Sequence, residues 1–567
     1  MTMRRLLAAT TTAALLTAGA AQAERGADGQ LNILYWQAVS ILNPYLSGGT
    51  KDIEGSSLVI EPLARYDEAG NMVPWLVEEI PTLENGGVSE DLTTITWRIT
   101  PGILWSDGTP FTAEDVVFTW EYCTDPEGGC QQIAKFADVQ TVEALDEHTV
   151  RVTFGVPKPN PYGPFVGAES PIIQKAQFEN CLGARAPECT AQNFGPHGTG
   201  PFVVQDFKAN DVVVFTANPN FRHADKPRFQ TVVLKGGGDA ASAARSVLET
   251  GEFDYGWNLQ VEPEILSRME AAGRGRLEVA FGTNVERFEV NHSDPNPALG
   301  ELRSTLEGGP HPFLTDPRVT RALSIAIDRD IIVEAGYGVT GRPTCNVVPA
   351  PEVFASTGVD WCLNYDPDEA NRLLDEAGWE RGPDGVRQKD GVRMSILYQT
   401  STNSVRQGTQ ALVKQMWDQI GVETELRNIS ASVFFGGDPA SPDTFQKSYA
   451  DVQMFTNNFT GADPEVYLAN WRCSEIPSPR NNWLGGNNTR WCSEEYDALV
   501  AELGKTAGIE ARAEIAKRLN DMLMENGALI PLVHRGRVSA SSVTLEGVRM
   551  NSWDSELWNV ADWRRAQ

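Results

Sequence analysis

Basic residues are scarce in this chain. Its 567 residues carry 47 Lys and Arg against 76 Asp and Glu, a net charge of −29. That balance argues against a nucleic-acid partner or an anionic membrane surface, both of which select clustered Lys and Arg. Histidine is rarer still: His148, His197, His223, His292, His311 and His534 are scattered and make no metal-ligand pattern. The hydrolase elbow G-x-S-x-G, the zinc motif H-E-x-x-H and the phosphate loop G-x-x-x-x-G-K-[ST] are all missing. Neither a fixed-period repeat nor a long low-complexity tract interrupts the chain. A mean hydropathy of −0.29 argues against a multi-span membrane protein.

What is present is a large apolar supply, 41% of residues, enough for more than one core. The first 23 residues read as an address. Arg4 and Arg5 form a basic start, residues 6–20 are apolar or small, and Ala21-Gln22-Ala23 offers a cleavage site before Glu24. The apolar core is shorter than the ~20 residues of a membrane span, so a cleaved signal peptide is expected rather than an anchor. With no cysteine near the cut, the mature chain is expected free in a periplasm. Loss of Arg4 and Arg5 takes the net charge to about −31.

Eight cysteines follow, in four sequence-local couples: Cys123/Cys130, Cys181/Cys189, Cys345/Cys362 and Cys473/Cys492. An even count in an exported chain reads as disulfides, and no spacing here fits zinc. Eight cysteines allow 105 connectivities, so neighbour pairing is a preference for short loops.

Hydrophobic periodicity marks strands at residues 31–36, 94–99, 149–154, 212–215 and 530–533. Helices are expected at 319–327, 367–377, 405–420, 494–503 and 509–524, with Gly378 and Gly421 as stops and Thr112 as the cap of another. The mixture indicates an α/β or α+β class. Gly198-Thr-Gly200 lacks the third glycine of a dinucleotide fingerprint and reads as a tight turn. Gly236-Gly-Gly238 reads as a flexible strand-to-helix turn or an anion cradle.

Tryptophan is the positive anomaly, fifteen in all. The densest stretch runs through Asn457, Asn458, Thr460, Asp463, Trp471, Trp483, Arg490 and Trp491. Ring faces beside amides can stack on and hydrogen-bond a polar organic solute; equally, the rings can anchor a loop-rich surface around Cys473 and Cys492. No residue set stands out as catalytic, metal-binding or cofactor-binding, although carboxylates are too abundant to exclude a glycosidase-type pair.

At Trp97–Trp120 the chain resembles a known family. Pro101-Gly-Ile-Leu-Trp-Ser-Asp-Gly-Thr-Pro-Phe-Thr-Ala-Glu-Asp-Val-Val-Phe118 is similar to the signature of family 5 extracellular solute-binding proteins, the dipeptide, oligopeptide and nickel-type receptors of ABC importers. Residues 198–202, 316–328, 365–379 and 410–426 follow in family order. The resemblance implies a two-lobed α/β fold of the periplasmic-binding-protein type (type II) with an extra subdomain. Lobe one would take 24–67, an inserted subdomain 68–192, then 193–287 and a C-terminal return over 536–567; lobe two would take 288–535. It further implies a cleft for one small organic solute (a peptide, an opine or an oligosaccharide), a monomeric receptor, and an ABC permease at the inner membrane as partner. Trp36, Tyr45, Trp257 and Asn258 fall in segments that line the cleft in relatives. The aspartate that receives a peptide's amine in the family corresponds here to Thr460, and Asp463 either takes over that role or caps the next helix. The rival reading is an exported hydrolase; a nickel or haem carrier is disfavoured by the scattered histidines.

Overall fold

The computed structural model describes residues 24–566, so the expected signal peptide lies outside the described residues. Two large sheets organise the chain. The first has seven strands in the order Gly275–Ala280, Arg537–Ser542, Tyr255–Trp257, Gln30–Tyr35, Thr231–Gly236, Val212–Ala217 and Phe202–Lys208. Gln30–Tyr35 is central, runs parallel to both neighbours and is almost wholly buried, as a strand covered on both faces must be. The second sheet has six strands: Gly341–Pro343, Leu529–Arg535, Val285–Val290, Val452–Asn457, Ser395–Ser401 and Glu423–Ile429. A smaller sheet of Thr94–Arg98, Thr149–Phe154 and Val139–Asp146 packs with the helix Ala113–Thr124. Its core reaches from Tyr45 to Ala186, so it draws on residues upstream of the expected 68–192 subdomain.

The chain passes between the large sheets twice: over residues 281–284, and at Gly536. The first passage precedes the expected border at 287/288. That border falls inside Val285–Val290, which pairs along its length with Val452–Asn457 and Leu529–Arg535 and so belongs to the second sheet. The second passage sits at the expected 535/536 border. The two passages touch: the Arg535 N–H donates to the Asn284 carbonyl at 3.1 Å, and His534 Nε2 lies 2.8 Å from the Gly282 carbonyl.

Local chemistry explains the helices. Asp316 and Asp366 cap Pro317–Ile325 and Pro367–Glu376, each with proline at the first position, where no N–H is needed. Asn403 caps Ser404–Gln419, and Gly421 follows it at φ +80°, a conformation only glycine takes without strain. Thr112 and Asp115 form a reciprocal capping box. Asp239 caps Ala240–Leu248, so Gly236–Gly238 serves as the strand-to-helix turn.

The eight cysteines pair as the four local couples: Cys123–Cys130, Cys181–Cys189, Cys345–Cys362 and Cys473–Cys492, with Cα–Cα distances of 5.2, 5.9, 5.9 and 4.8 Å. None of the eight lines the cleft described below, so as site residues they are structural staples and not ligand contacts. Two of the staples hold loops beside that cleft. Cys123–Cys130 precedes Gln131 and Gln132, and Cys473–Cys492 encloses Gly486 and Asn488. The other two work away from it. Cys181–Cys189 closes the loop that leads into Thr190–Phe194 and packs on the subdomain core. Cys345–Cys362 lies in the second-lobe core, where the Cys362 carbonyl accepts from buried Arg329 at 2.6 Å.

Gly198-Thr-Gly200 serves close packing more than turning: a Cβ on Gly198 would collide with the Val59 carbonyl, and the Gly200 N–H donates to that same oxygen at 2.8 Å. Gly198→Ala should therefore lower stability by roughly 1–3 kcal/mol through backbone displacement, read as a drop in the thermal midpoint.

Candidate functional site

A cavity of about 150 Å³ opens where the two sheets and the small subdomain meet. Its position follows from strand direction. Gln30–Tyr35, Tyr255–Trp257 and Val452–Asn457 all point their carboxyl ends at it, the place where open α/β sheets leave a crevice.

From the first sheet, Trp257 lines the wall with its ring stacked on Tyr35 at 4.6 Å and 11°. Asn258 follows in the left-handed region at φ +53°, which turns its side chain toward the passage. Its Oδ1 accepts from Arg535 Nη2 at 2.7 Å, its carbonyl accepts from Trp36 Nε1 at 2.8 Å, and its N–H donates to Ser539 Oγ at 3.2 Å. Trp36 thus holds the wall from behind and is not part of it.

From the second sheet, the end of Val452–Asn457 delivers Phe455, Asn457, Asn458 and Thr460. Phe455 meets Phe445 at 5.2 Å and Phe435 at 6.2 Å, an aromatic patch made by rings from three segments. Asp463 reaches the cavity too, but Arg512 holds it with two bonds of 2.7 and 2.8 Å, and its Oδ1 also accepts the Glu465 N–H. Its charge is therefore spent within the protein. Glu465 bonds Lys158 of the subdomain at 2.7 Å, so this network ties the subdomain to the second lobe.

Of the residues named from sequence, Trp257, Asn258, Asn457, Asn458, Thr460 and Asp463 are brought together here. The others are placed elsewhere. Tyr45 is fully buried, its hydroxyl donating to the Pro171 carbonyl. Trp471 packs edge-on against Tyr467 at 5.0 Å, and Trp491 against Tyr496 at 5.2 Å. Trp483 lies under Lys447, whose Nζ is 4.0 Å from the ring centre. Arg490 donates to the carbonyls of Ser304, Gln446, Lys447 and Asn488, riveting four loop positions; burial lowers it to about 9. Between Trp471 and Trp491, only Gly486 and Asn488 line the cavity.

Sequence reasoning missed the charged groups around the passages. Arg406 bonds Glu286 at 2.8 Å, and Arg535 and Arg537 flank Gly536. Arg537 is 3.3 Å from Glu54, whose other oxygen accepts the Glu556 N–H at 2.9 Å. Lys135 pairs with Glu169 at 3.0 Å on the subdomain wall. Their only sequence signal was membership of the expected crossing at 530–535, and that covers Arg535 alone. Among the described residues no cluster of His, Cys, Asp and Glu is arranged to hold a metal ion, and no helix is long and apolar enough to cross a membrane.

Residues 71–478 match the family described as bacterial extracellular solute-binding proteins, family 5 middle. The chain belongs to that family. Among similar proteins, the glutathione-binding protein GsiB of Shigella boydii serotype 4 is 24% identical over 466 residues, covering 82% of each chain. GsiB of Escherichia coli K12 is 24% identical over 470 residues, again covering 82% of each. The fold matches the oligopeptide-binding protein AppA of Bacillus subtilis at a TM-score of 0.81, with 19% identity over 96% of this chain and 100% of that one. NikZ of Campylobacter jejuni gives 0.79, with 22% identity over 95% and 100%. These likenesses establish the two-lobed type II architecture.

Two outcomes follow from the geometry. Trp491→Ala should cost about 3–5 kcal/mol of stability while leaving solute affinity unchanged in the folded fraction, as calorimetry would read. Burial lifts Glu54 to about 7 against the lowering effect of Arg537, and neighbouring Glu556 is raised as well. Between the usual 4.5 and about 7 the folded chain keeps a proton that the unfolded chain releases. This contribution is complete below pH 4.5 and is lost as pH rises through 7. Glu54→Gln should flatten that part of the stability-against-pH curve, measured by denaturant unfolding.

Proposed function

We propose that this protein is the periplasmic solute receptor of an ABC importer, exported by its leader segment, which captures a small peptide-like solute between its lobes and presents the closed form to a membrane permease. The observation that carries this reading is the cavity itself. Both lobes and the subdomain line it, and it sits at the two adjoining passages about which the lobes can swing. A solute touching both walls stabilises the closed arrangement by its extra contacts there, which is how binding becomes a conformational signal. The relatives named as glutathione-binding proteins support a peptide-like solute.

Two features favour reception over hydrolysis. The cavity's carboxylates are Glu169, Asp463 and Glu556, and each is held by protein partners: Lys135, Arg512, and the Tyr255 and Ser539 hydroxyls. The walls add amides and an indole face, groups that orient a solute and transfer no proton, and the two lysines there are paired, Lys51 with Asp52 and Lys135 with Glu169. Asp463, neutralised by Arg512, is a poor partner for a peptide amine.

Calorimetry with peptides and glutathione, alongside small-angle scattering, tests the reading. Saturable binding of a solute recovered chemically unchanged, with a decrease in radius of gyration, is expected; turnover without saturable binding overturns it. Trp257→Ala should weaken that binding by ~1 kcal/mol or more through lost ring contact.

A further inference from the structure

Charge is distributed unevenly across Gly536. On the second-lobe side, Arg406 and Arg535 share a single anion, Glu286, and Arg406 takes both of its oxygens at 2.8 and 3.3 Å. Arg535 is left with one side-chain hydrogen bond, to Asn258 Oδ1; its buried Nε has no partner, and no ion pair involves it among the described residues. The residue is only 6% exposed, and it lines the cavity. An arginine so placed has already lost its water without gaining an anion, an expensive arrangement unless a ligand completes it. Desolvation accordingly lowers its pKa.

On the first-lobe side the surplus is reversed. Arg537 stands with two carboxylates, Glu54 and Glu556, and its ion pair is to Glu54. Glu556, 2% exposed, lines the cavity; its Oε2 accepts from the Tyr255 and Ser539 hydroxyls, each at 2.6 Å, while Oε1 accepts no hydrogen bond among the described residues. Arg535 and Glu556 form no ion pair with one another. Asn258 and Ser539 hold them apart: Arg535 donates to the Asn258 side chain, the Asn258 N–H donates to Ser539 Oγ, and that hydroxyl donates to Glu556. The cavity thus holds an incompletely partnered guanidinium and an incompletely partnered carboxylate, close enough for each to act on the other's charge, with Asn258 and Ser539 between them.

We infer that the solute carries an α-amino-carboxylate head, whose carboxylate docks on Arg535 and whose ammonium docks on Glu556. This rests on the receptor reading above and narrows it. The two charges of such a head are borne by one carbon, so a single head group can meet a cation and an anion that line one cavity; an extended peptide carries its two charged termini apart. Since Arg535 belongs to the second lobe and Glu556 to the first, one head group would bridge the lobes at their pivot. Charge-assisted bonds of this kind are the strong class, so each is expected to matter by about tenfold or more in affinity.

The test uses the full mature chain and a panel of L-amino acids, glutathione and γ-glutamyl dipeptides, each paired with its N-acetyl and α-amide derivative. Peptides blocked at both ends and neutral oligosaccharides serve as controls. The expected result is a binder with a free head that loses about tenfold or more on acetylation or on amidation. Arg535→Gln should abolish the acid-over-amide preference, and Glu556→Gln the amine-over-acetyl preference; Arg535→Lys should restore part of the former. Because each variant is judged by the ratio between two ligands, a general loss of stability does not mimic the effect. Saturable binding only of blocked or neutral solutes overturns this inference and leaves the receptor reading standing. No binding by any compound or by solute extracted from the native host, with no lobe closure, overturns both.

Discussion

The structure depends on burying charge where the chain crosses between its lobes. Two strands must leave one sheet and join the other at the same place, over residues 281–284 and at Gly536, and their backbones bond each other there. Six ionisable side chains accompany them: Arg406, Arg535 and Arg537 against Glu54, Glu286 and Glu556. Three arginines meet three carboxyl groups, and the proton that Glu54 keeps up to about pH 7 lowers the cost of burying the third carboxyl. Taken lobe by lobe the two sets do not match, because the second lobe holds two of the arginines and the first holds two of the carboxyl groups. Opening the cleft separates those halves, so the same charges that permit the closed form make its stability responsive to whatever ionic group enters between them.

The remaining architecture keeps that junction in register. Trp36 fixes Asn258 from behind, Tyr35 backs Trp257, and the Arg512–Asp463–Glu465–Lys158 network draws the subdomain against the second lobe. Arg490 makes no ion pair among the described residues, yet its four carbonyl acceptors hold the loops that carry Gly486 and Asn488. Disulfides at Cys123–Cys130 and Cys473–Cys492 restrict the same walls, while Cys181–Cys189 and Cys345–Cys362 brace the cores behind them. Rigid walls around a jointed floor allow a small solute contact to be read as a lobe movement.

Local chemistry was legible in the sequence wherever it is local in physics. Asp-Pro at 316–317 and 366–367 announces a cap and a first turn, Gly421 a left-handed stop, and the alternation at 149–154 a half-buried strand. The cleft was legible only in part, because lining it depends on direction more than on residue type. Asn457 and Asn458 end a strand aimed at the cavity, whereas Trp483 and Trp491, in a stretch equally rich in amides, pack against Lys447 and Tyr496. Arg512 lies 49 residues from Asp463, so nothing near Asp463 in sequence reveals that its charge is already met. Arg535 and Glu556 carry no motif, and their roles exist only once distant strands are paired.

The chain's large negative charge illustrates the same separation of scales. A net −29 sets the field felt by an approaching solute, but salt screens such a field over ~8 Å at physiological ionic strength. Inside the cavity the balance is reversed: Lys51, Lys135, Arg406, Arg535 and Arg537 line it against Glu169, Asp463 and Glu556. The two lysines, the three arginines and Glu556 are buried, so their interactions with a solute are stronger per contact and less screened than those of the surface. On the proposed head-group site, selectivity is governed by the few groups left without a full set of partners, so a receptor acidic overall can still hold an anionic group firmly.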